Sequence, residues 1–255
     1  MEGKYLMNVL FVGESWFMHT SHVKGFDTFT HTEYNEGTKW FKAAMECNNI
    51  KFTHIPAHLV GEQFPTSQEE LKEYDAVFLS DIGSNTMLMN KDTFNNGIIQ
   101  KNNLELIKEY VENGGGFGMI GGYMTFQGIE AKGKYKDSVI EEILPVNLLT
   151  GDDRAEHPEG ITPTILQKNH PILDGISDQW PHFLGYNKLK SKEEAIVIAE
   201  HNGDAFISVM DFKKGRTFAF ASDCAPHWAP KEFVEWKYYN QFWGNVVSWL
   251  DNSKK

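Results

Sequence analysis

Hydrophobic and polar positions follow two different periods in the first half of this chain. Short continuous apolar runs are typical of buried strands, and apolar residues spaced by three and four indicate helices that cover them. Strands are predicted at residues 5–12, 51–55, 75–79 and 117–120. Helices are predicted at residues 37–48, 67–70, 104–113 and 139–144.

The second half of the chain follows a different pattern. Residues 195–200, 205–212 and 216–221 read as strands joined by tight turns at 202–204 and 213–215, and residues 233–250 read as one aromatic-rich helix. Residues 147–194 are predicted to be rich in loops, with a turn at 169–171. Residues 16–33 show no clear period and are predicted to form a long irregular excursion.

Strands that alternate with helices predict a flavodoxin-like, doubly wound α/β fold, with a mostly parallel sheet and a late antiparallel extension. We expect one domain over residues 1–255, because α/β folds often reach this length and no linker is visible. Ligands of such folds bind beyond the carboxyl ends of the strands. The residues that directly follow each strand are therefore the candidates for function.

Polar residues, glycine or aromatic residues follow each of these predicted strands. The candidate ligand-binding residues are Glu14, Ser15, Trp16, Ser80, Asp81, Gly121, Gly122, Tyr123 and Ser222. Asp223 and His227 are the candidate catalytic residues, with either of them as a general base. Acids, hydroxyls and an imidazole on one rim suit a small polar ligand. The alternative is that these Ser and Asp residues only cap helices and end strands.

Gly121-Gly122-Tyr123, called the elbow below, permits a tight turn from strand to helix whose N–H groups could face an oxyanion. It carries no Ser or Cys nucleophile. Cys224, three residues before His227, is a candidate nucleophile, although a free cysteine is more often a buried apolar residue.

Metal and cofactor signatures are weak in this chain. His19 and His22 could join Asp81, Asp223 or His227 at a metal, yet neither an HExxH pattern nor paired CxxC motifs occur, so we expect no metal. The glycines of residues 114–122 lack the ending of a phosphate loop, and no cofactor is expected. Trp16 and Trp228 are candidate stacking platforms for a ligand.

The composition excludes several classes of protein. The formal charge of −11 argues against a nucleic-acid partner, and no apolar run is long enough to span a membrane. Two cysteines make no disulfide framework, and we read no export signal at the start of the chain, so a cytoplasmic location is expected.

Three stretches of the chain resemble a known family. They are VLFVGESW at residues 9–16, GGGFGMIGGYMTFQGIEAKGKYKDSVIEEILPV at 114–146, and GRTFAFASDCAPHWAPKEFVEWKYYNQFWGNVVSWL at 215–250. Together they resemble the "putative glutamine amidotransferase" family of bacterial cytoplasmic proteins, which is related to the trehalose-utilisation (ThuA-like) proteins. This resemblance implies a class I glutamine amidotransferase-like fold, with the elbow where catalytic relatives carry Gly-x-Cys-x-Gly and His227 near their histidine. Without the elbow thiol, glutamine hydrolysis through a thioester has no attacking atom.

Three hypotheses about function stay open. The first is binding of a small polar ligand, such as a sugar or an amino-acid derivative, over the elbow. The second is a hydrolase that uses water, with His227 or Asp223 as base. The third is a non-catalytic protein that docks through aromatic surface to a partner or to its own copies.

Overall fold

The computed structural model describes residues 7–252. Positions 5 and 6 of the first predicted strand therefore lie outside the described residues. The strands are β1 (Met7–Gly13), β2 (Ser15–Lys24), β3 (Asp27–Glu36), β4 (Ile50–Ile55), β5 (Ala76–Ser80), β6 (Gly116–Ile120), β7 (Val146–Asn147), β8 (Arg154–Ile161), β9 (Thr164–Ile165), β10 (Phe183–Asn187), β11 (Lys190–Ser191), β12 (Ile196–His201), β13 (Asp204–Phe212) and β14 (Gly215–Phe220).

The helices separate these strands. They are α1 (Lys39–Cys47), α2 (Val60–Gln63), α3 (Gln68–Leu71), α4 (Ser84–Leu88), α5 (Lys91–Asn96), α6 (Asn103–Glu112), α7 (Val139–Ile143), α8 (Lys231–Val234) and α9 (Tyr239–Leu250), with short 3₁₀ helices at Ala57–Leu59, Ile129–Ala131 and Pro171–Leu173.

Eight strands form the main sheet in the order β4-β1-β5-β6-β14-β13-β12-β9. The first five run parallel, and β13, β12 and β9 add antiparallel neighbours at one side. In chain order the parallel strands read 2-1-3-4-5, the flavodoxin-like order. The predicted fold class, including the late antiparallel extension, is confirmed.

Helices cover both faces of this sheet. Right-handed crossovers place α1 on one face and α6 on the other, because β4 and β5 lie on opposite sides of β1. The α1 side is filled by aromatic rings: Phe41 packs on Phe11 at 4.6 Å and on Trp243 of α9 at 4.9 Å between ring centroids. Burial on both faces explains why the parallel strands read as unbroken apolar runs.

The predicted irregular excursion is wrong. Residues 15–36 form a regular antiparallel hairpin of β2 and β3, with paired residues from Ser15 opposite Glu36 to Lys24 opposite Asp27. Threonines and aromatic residues favour strands, but both faces of this hairpin are exposed, so no alternation of apolar and polar residues marks it.

Two further predictions are corrected. The aromatic helix predicted at 233–250 is interrupted between Val234 and Tyr239, where Trp236 packs on Trp180 at 4.9 Å. The region 147–194 contains strands, and β8 pairs with β10 in a small separate sheet. Within residues 7–252, no helix is long and apolar enough to cross a membrane.

Candidate functional site

The carboxyl ends of four adjacent parallel strands bring the candidate residues to one edge of the sheet. Gly13 of β1 pairs with Ser80 of β5, Ser80 with Ile120 of β6, and Ile120 with Phe220 of β14. The side chains that follow these residues therefore meet at one rim, at the position where the order of the parallel strands reverses.

Glu14 lies at the centre of this rim and is 3% exposed. Its backbone has φ of +50°, and its N–H donates to the carbonyl of Ser80 at 2.8 Å. The Ser80 hydroxyl donates to Glu14 Oε2 at 2.5 Å. Gly37 leaves room for the carboxyl group, since a Cβ at that position would lie 2.4 Å from Glu14 Oε1.

Asp81 and Asp223 complete what we call the acid cluster, defined as Glu14, Asp81 and Asp223. Asp81 accepts the N–H of Met124 at 2.8 Å and has φ of +42°. Asp223 is 3% exposed and accepts the N–H of Ala225 at 2.9 Å. Carboxyl oxygens of Glu14 and Asp223 lie within 4.8 Å of each other, so the two buried acids interact directly.

Burial makes ionisation of this cluster costly. Desolvation, and after it the charge of Asp81, raises the pKa of Glu14 to about 8, although the Ser80 hydrogen bond acts in the opposite direction. Burial and then the neighbouring Glu14 raise the pKa of Asp223 well above its usual range, and burial raises that of Asp81. At neutral pH the cluster therefore holds protons that it can donate in hydrogen bonds.

His227 and Tyr123 form the outer wall of the rim. The His227 side chain is 43% exposed, its Nδ1 lies 3.9 Å from Asp223 Oδ2, and its ring meets that of Tyr123 edge-on at 4.3 Å. Burial lowers the pKa of His227, which keeps the imidazole neutral. The distance of 3.9 Å exceeds a hydrogen bond, so Asp223 does not orient His227 in this structure.

The elbow differs from its prediction. No α-helix begins there; turns follow Gly121, and the next α-helix of the described chain is α7 at Val139. The N–H of Gly122 donates to Asn187 Oδ1 at 3.0 Å, and that of Met124 to Asp81. The N–H groups of Gly121 and Gly122 in the elbow, and of Met124 directly after it, thus already have partners inside the protein.

Neighbouring atoms approach both elbow glycines closely. A Cβ on Gly121 would lie 2.2 Å from the carbonyl oxygen of Ala221, and a Cβ on Gly122 would lie 2.8 Å from Asp81 Oδ1. Gly122 also has φ of +159°. A side chain at either position would therefore force the neighbouring atoms to move.

Several predicted residues lie elsewhere. The Ser15 hydroxyl accepts the N–H of Ala57 at 2.8 Å, and the Ser222 hydroxyl donates to the carbonyl of Gly185 at 2.7 Å. Trp16, 39% exposed, lies on β2, where alternation turns it to the face opposite Ser15. These three side chains are not drawn into the acid cluster by any bond that the described residues make.

Two further candidates are corrected. Trp228 is 1% exposed and donates its indole N–H to Glu156 at 2.9 Å, so it is a buried support and not a stacking platform. Cys224 is fully buried, and burial raises its pKa well above the usual value, which is the opposite of an activated nucleophile.

The residues that sequence reasoning missed come from the region predicted as loops. Asn187 of β10 is buried and also donates to the carbonyl of Gly122 at 3.2 Å and to Asp153 at 2.8 Å. Glu156 of β8 accepts the Tyr123 hydroxyl at 2.9 Å, and Arg154 lies over the Tyr123 ring. Only the three-dimensional pairing of β8 with β10 reveals them.

Three donor atoms could contact one metal ion. Oxygens of Glu14 and Asp223 and the sulfur of Cys224 lie within 4.8 Å of one another. A metal there would have to displace the protons that burial keeps on all three groups. His19 and His22 are on the β2 strand, where His19 hydrogen-bonds Thr32, and they do not join this set. The expectation of no metal stays a prediction.

Solved structures contain close relatives of this chain. Cytoplasmic protein STM3548 from Salmonella typhimurium is 45% identical, over 95% of this chain and 98% of its own, with a TM-score of 0.92. Cytoplasmic protein STM1381 from Salmonella typhimurium LT2 is 46% identical, over 96% and 100% of the two chains, also with a TM-score of 0.92. These matches show that nearly the whole chain has a counterpart of the same fold.

A more distant match extends the fold similarity. A ThuA-like protein from Bacteroides uniformis is 12% identical over 98% of this chain and 95% of its own, with a TM-score of 0.57, which shows the fold alone. No curated protein matches the sequence. The model of one family, described as "Putative glutamine amidotransferase", matches residues 8–252. This chain, with its glycine elbow and its acid cluster, belongs to that family.

Proposed function

We propose that this protein binds an uncharged, hydroxyl-rich small molecule, a sugar or sugar derivative, at the acid cluster. The observation that carries the proposal is the meeting of Glu14, Asp81 and Asp223 at one rim with raised pKa values. Among the salt bridges of residues 7–252, none joins a Lys or Arg to these three acids. A ligand at the cluster would therefore have no basic side chain to displace.

Hydroxyl groups match this chemistry. A protonated carboxyl group donates one hydrogen bond and accepts others, and each sugar hydroxyl also does both. The exposed ring of His227, stacked at 5.5 Å on the buried Trp228, offers a firm flat surface beside the cluster. Rings of this kind commonly pack against the apolar face of a ligand.

An amino-acid derivative is less well supported. Its carboxylate would need a basic partner near the rim, and Arg154 is already held by Asp152, with Nη2 2.9 Å from Oδ2. The formal charge of −11 also repels anions. A neutral ligand needs no basic partner and is not repelled by the negative charge of the protein.

The hydrolase hypothesis is also less well supported. It would need N–H groups at the elbow that can hold an oxyanion. Those of Gly122 and of Met124, the residue directly after the elbow, are bonded to Asn187 and Asp81. We therefore propose binding without assigning a reaction. The absence of nucleic-acid and membrane partners stays a prediction, as does the single domain.

Calorimetric titration tests the proposal. Neutral monosaccharides, sugar acids, amino acids and Zn²⁺ are titrated separately into the wild-type protein. We expect affinity for a neutral sugar alone, because it is the only class that matches the hydrogen-bonding groups without charge repulsion. Asp223→Asn should weaken that affinity at least about tenfold, since the O–H donor of the protonated carboxyl group is lost and an amide N–H does not reproduce its hydrogen-bond geometry.

The control is Glu69→Gln, which removes one exposed acid at the start of α3, away from the rim. It should bind as the wild type does. Preference for sugar acids, amino acids or Zn²⁺ would overturn the proposal, and so would a sugar affinity that Asp223→Asn leaves unchanged. We also propose a cytoplasmic location, because both Salmonella relatives are named cytoplasmic proteins; cell fractionation tests it.

A further inference from the structure

The hairpin of β2 and β3, residues 15–36 and called the arm below, is a two-stranded ribbon with nearly all of its side chains exposed. Its aromatic contact with the rest of the molecule lies at its base, where Phe17 and Tyr34 each meet the ring of His58 at 5.2 Å. A two-stranded hairpin without further packing is only marginally stable in water. The arm is therefore a strong candidate for burial against another surface.

Apolar side chains concentrate at the far end of the arm. Val23 is 70% exposed, Phe26 in the turn is 107% exposed and Phe29 is 52% exposed. We call these three residues the tip patch. Exposed apolar residues on an open strand pair favour association with another chain.

A second exposed surface lies beside the base of the arm. A cavity of about 640 Å³ has a lining of mostly polar residues that includes His58 and Met89, so it shares the His58 wall with the arm. The segment that continues from Met89 carries Phe94 at 74%, Ile98 at 49% and Ile99 at 96% exposure. We call the cavity and these residues the basal groove.

We propose that the arms of two copies of this chain pair about a two-fold axis, with the tip patch of each copy in the basal groove of the other. A ten-residue strand is about 33 Å long. When two arms of equal length lie side by side in opposite directions, the tip of each reaches the base of the other. The tip patch and the basal groove are separated by this one arm length, so a single symmetric contact covers both.

The partner is a second copy because both complementary surfaces occur on the same chain. An unrelated partner would need its own groove and its own exposed apolar tip, separated by the same distance of one arm length. The charges at the tip also allow close approach, since Lys24 and Asp27 face each other across the strands. Two-fold contacts of this self-complementary kind are the commonest in soluble oligomers.

The area is sufficient for a stable dimer. A large apolar or aromatic side chain buries on the order of 100–200 Å² when it is covered. Phe26, Phe29, Phe94 and Ile99, each counted twice by the symmetry, would bury roughly 800–1,600 Å², which overlaps the range of specific interfaces. The pairing of strand edges adds to this.

Analytical ultracentrifugation of the full chain tests the proposal. We expect the wild type to sediment as a dimer at micromolar concentration, with twice the chain mass of 29.2 kDa. Phe26→Glu should raise the dissociation constant at least about 30-fold, because it places a charge against the apolar side chains of Phe94, Ile98 and Ile99. Ile99→Glu should act in the same way from the other side of the contact.

Ile196→Glu is the matched control, since Ile196 is 46% exposed on β12 of the antiparallel extension. It should leave the dimer intact. Circular dichroism checks that each variant is folded. A monomeric wild type, or a dimer that Phe26→Glu leaves unchanged, would overturn the proposal.

Crosslinking between two variants tests the geometry separately. Phe26→Cys and Met89→Cys are each made together with Cys47→Ser, which removes the exposed native thiol. A short bismaleimide should join the two chains when they are mixed and should join neither variant to itself. Equal crosslinking within one variant alone would exclude contact between the tip patch and the basal groove.

Discussion

Glu14 shows how one residue links position in the fold to proton binding. The end of β1 forces its backbone to a φ of +50°, and Gly37 and Ser80 close around its carboxyl group. The result is an acid with a pKa of about 8 at the centre of the rim. Its protonation is thus set by packing and not by a basic partner.

Glu14 should make the protein less stable as pH rises. Its pKa is raised on folding, from 4.5 to about 8, so the folded state binds the proton more tightly than the unfolded state does. The stabilisation from that proton is present below pH 4.5 and is lost progressively up to about pH 8. Denaturant unfolding between pH 5 and 8 should show a fall of roughly 2–4 kcal/mol in the free energy of unfolding.

Glu14→Gln provides the comparison, because the amide keeps the size and an oxygen for Ser80 but cannot ionise. Its stability should change less with pH, and above pH 7 it should exceed the wild type. Parallel pH profiles for the two proteins would show that Glu14 titrates normally and would contradict this account of the cluster.

The two cysteines should differ in reactivity. Cys47 is exposed, whereas Cys224 is buried and its pKa is raised, so its thiolate is scarce and inaccessible. Ellman's reagent should therefore label one thiol in the native protein and two in guanidinium chloride. Native Cys47→Ser should give almost no colour. Rapid labelling of that variant would return Cys224 to the list of nucleophiles.

At the scale of elements, β10 holds the elbow in place. Asn187 bonds both the N–H and the carbonyl of Gly122 and also reaches Asp153, which in turn accepts the N–H groups of Gln127 and Gly128. One buried amide therefore ties the end of β6 to the segment that follows the elbow. The small sheet of β8 and β10 acts as a brace for the rim.

Asn187→Ala should destabilise the protein by about 2–4 kcal/mol, because it leaves buried polar groups of Gly122 and Asp153 without partners. Thermal and denaturant unfolding measure the change. Asn147→Ala, at an exposed position of β7, is the control and should lie within about 0.5 kcal/mol of the wild type. Equal effects of the two substitutions would show that the hydrogen bonds of Asn187 contribute little to the free energy of unfolding.

The elements also differ in how well the sequence pattern predicts them. The parallel strands were predictable because burial on both faces makes them continuous apolar runs, as in residues 76–80. The arm was not predictable, because a ribbon exposed on both faces imposes no period on its sequence. The break before α9 was missed because Trp236 fits an aromatic helical face and yet packs on Trp180.

At the scale of the molecule, the site could be predicted only in part. Glu14, Asp81 and Asp223 were accessible to sequence reasoning, because each follows a parallel strand and those strand ends meet. Asn187, Glu156 and Arg154 were not, because their contact with the elbow depends on how a distant small sheet docks. Ser15, Trp16 and Ser222 follow strands as well, and their side chains still turn to other partners or another face.

The crowded elbow has a consequence for the relation between this protein and enzymes that use an elbow cysteine. A cysteine at Gly121 would collide with the carbonyl of Ala221, and one at Gly122 with Asp81. The backbone donors that an acyl intermediate would need are held by Asn187 and Asp81. A cysteine at either glycine therefore requires the backbone of Ala221 or the side chain of Asp81 to move. Introducing the elbow thiol alone would therefore leave its surroundings unsuited to glutaminase chemistry.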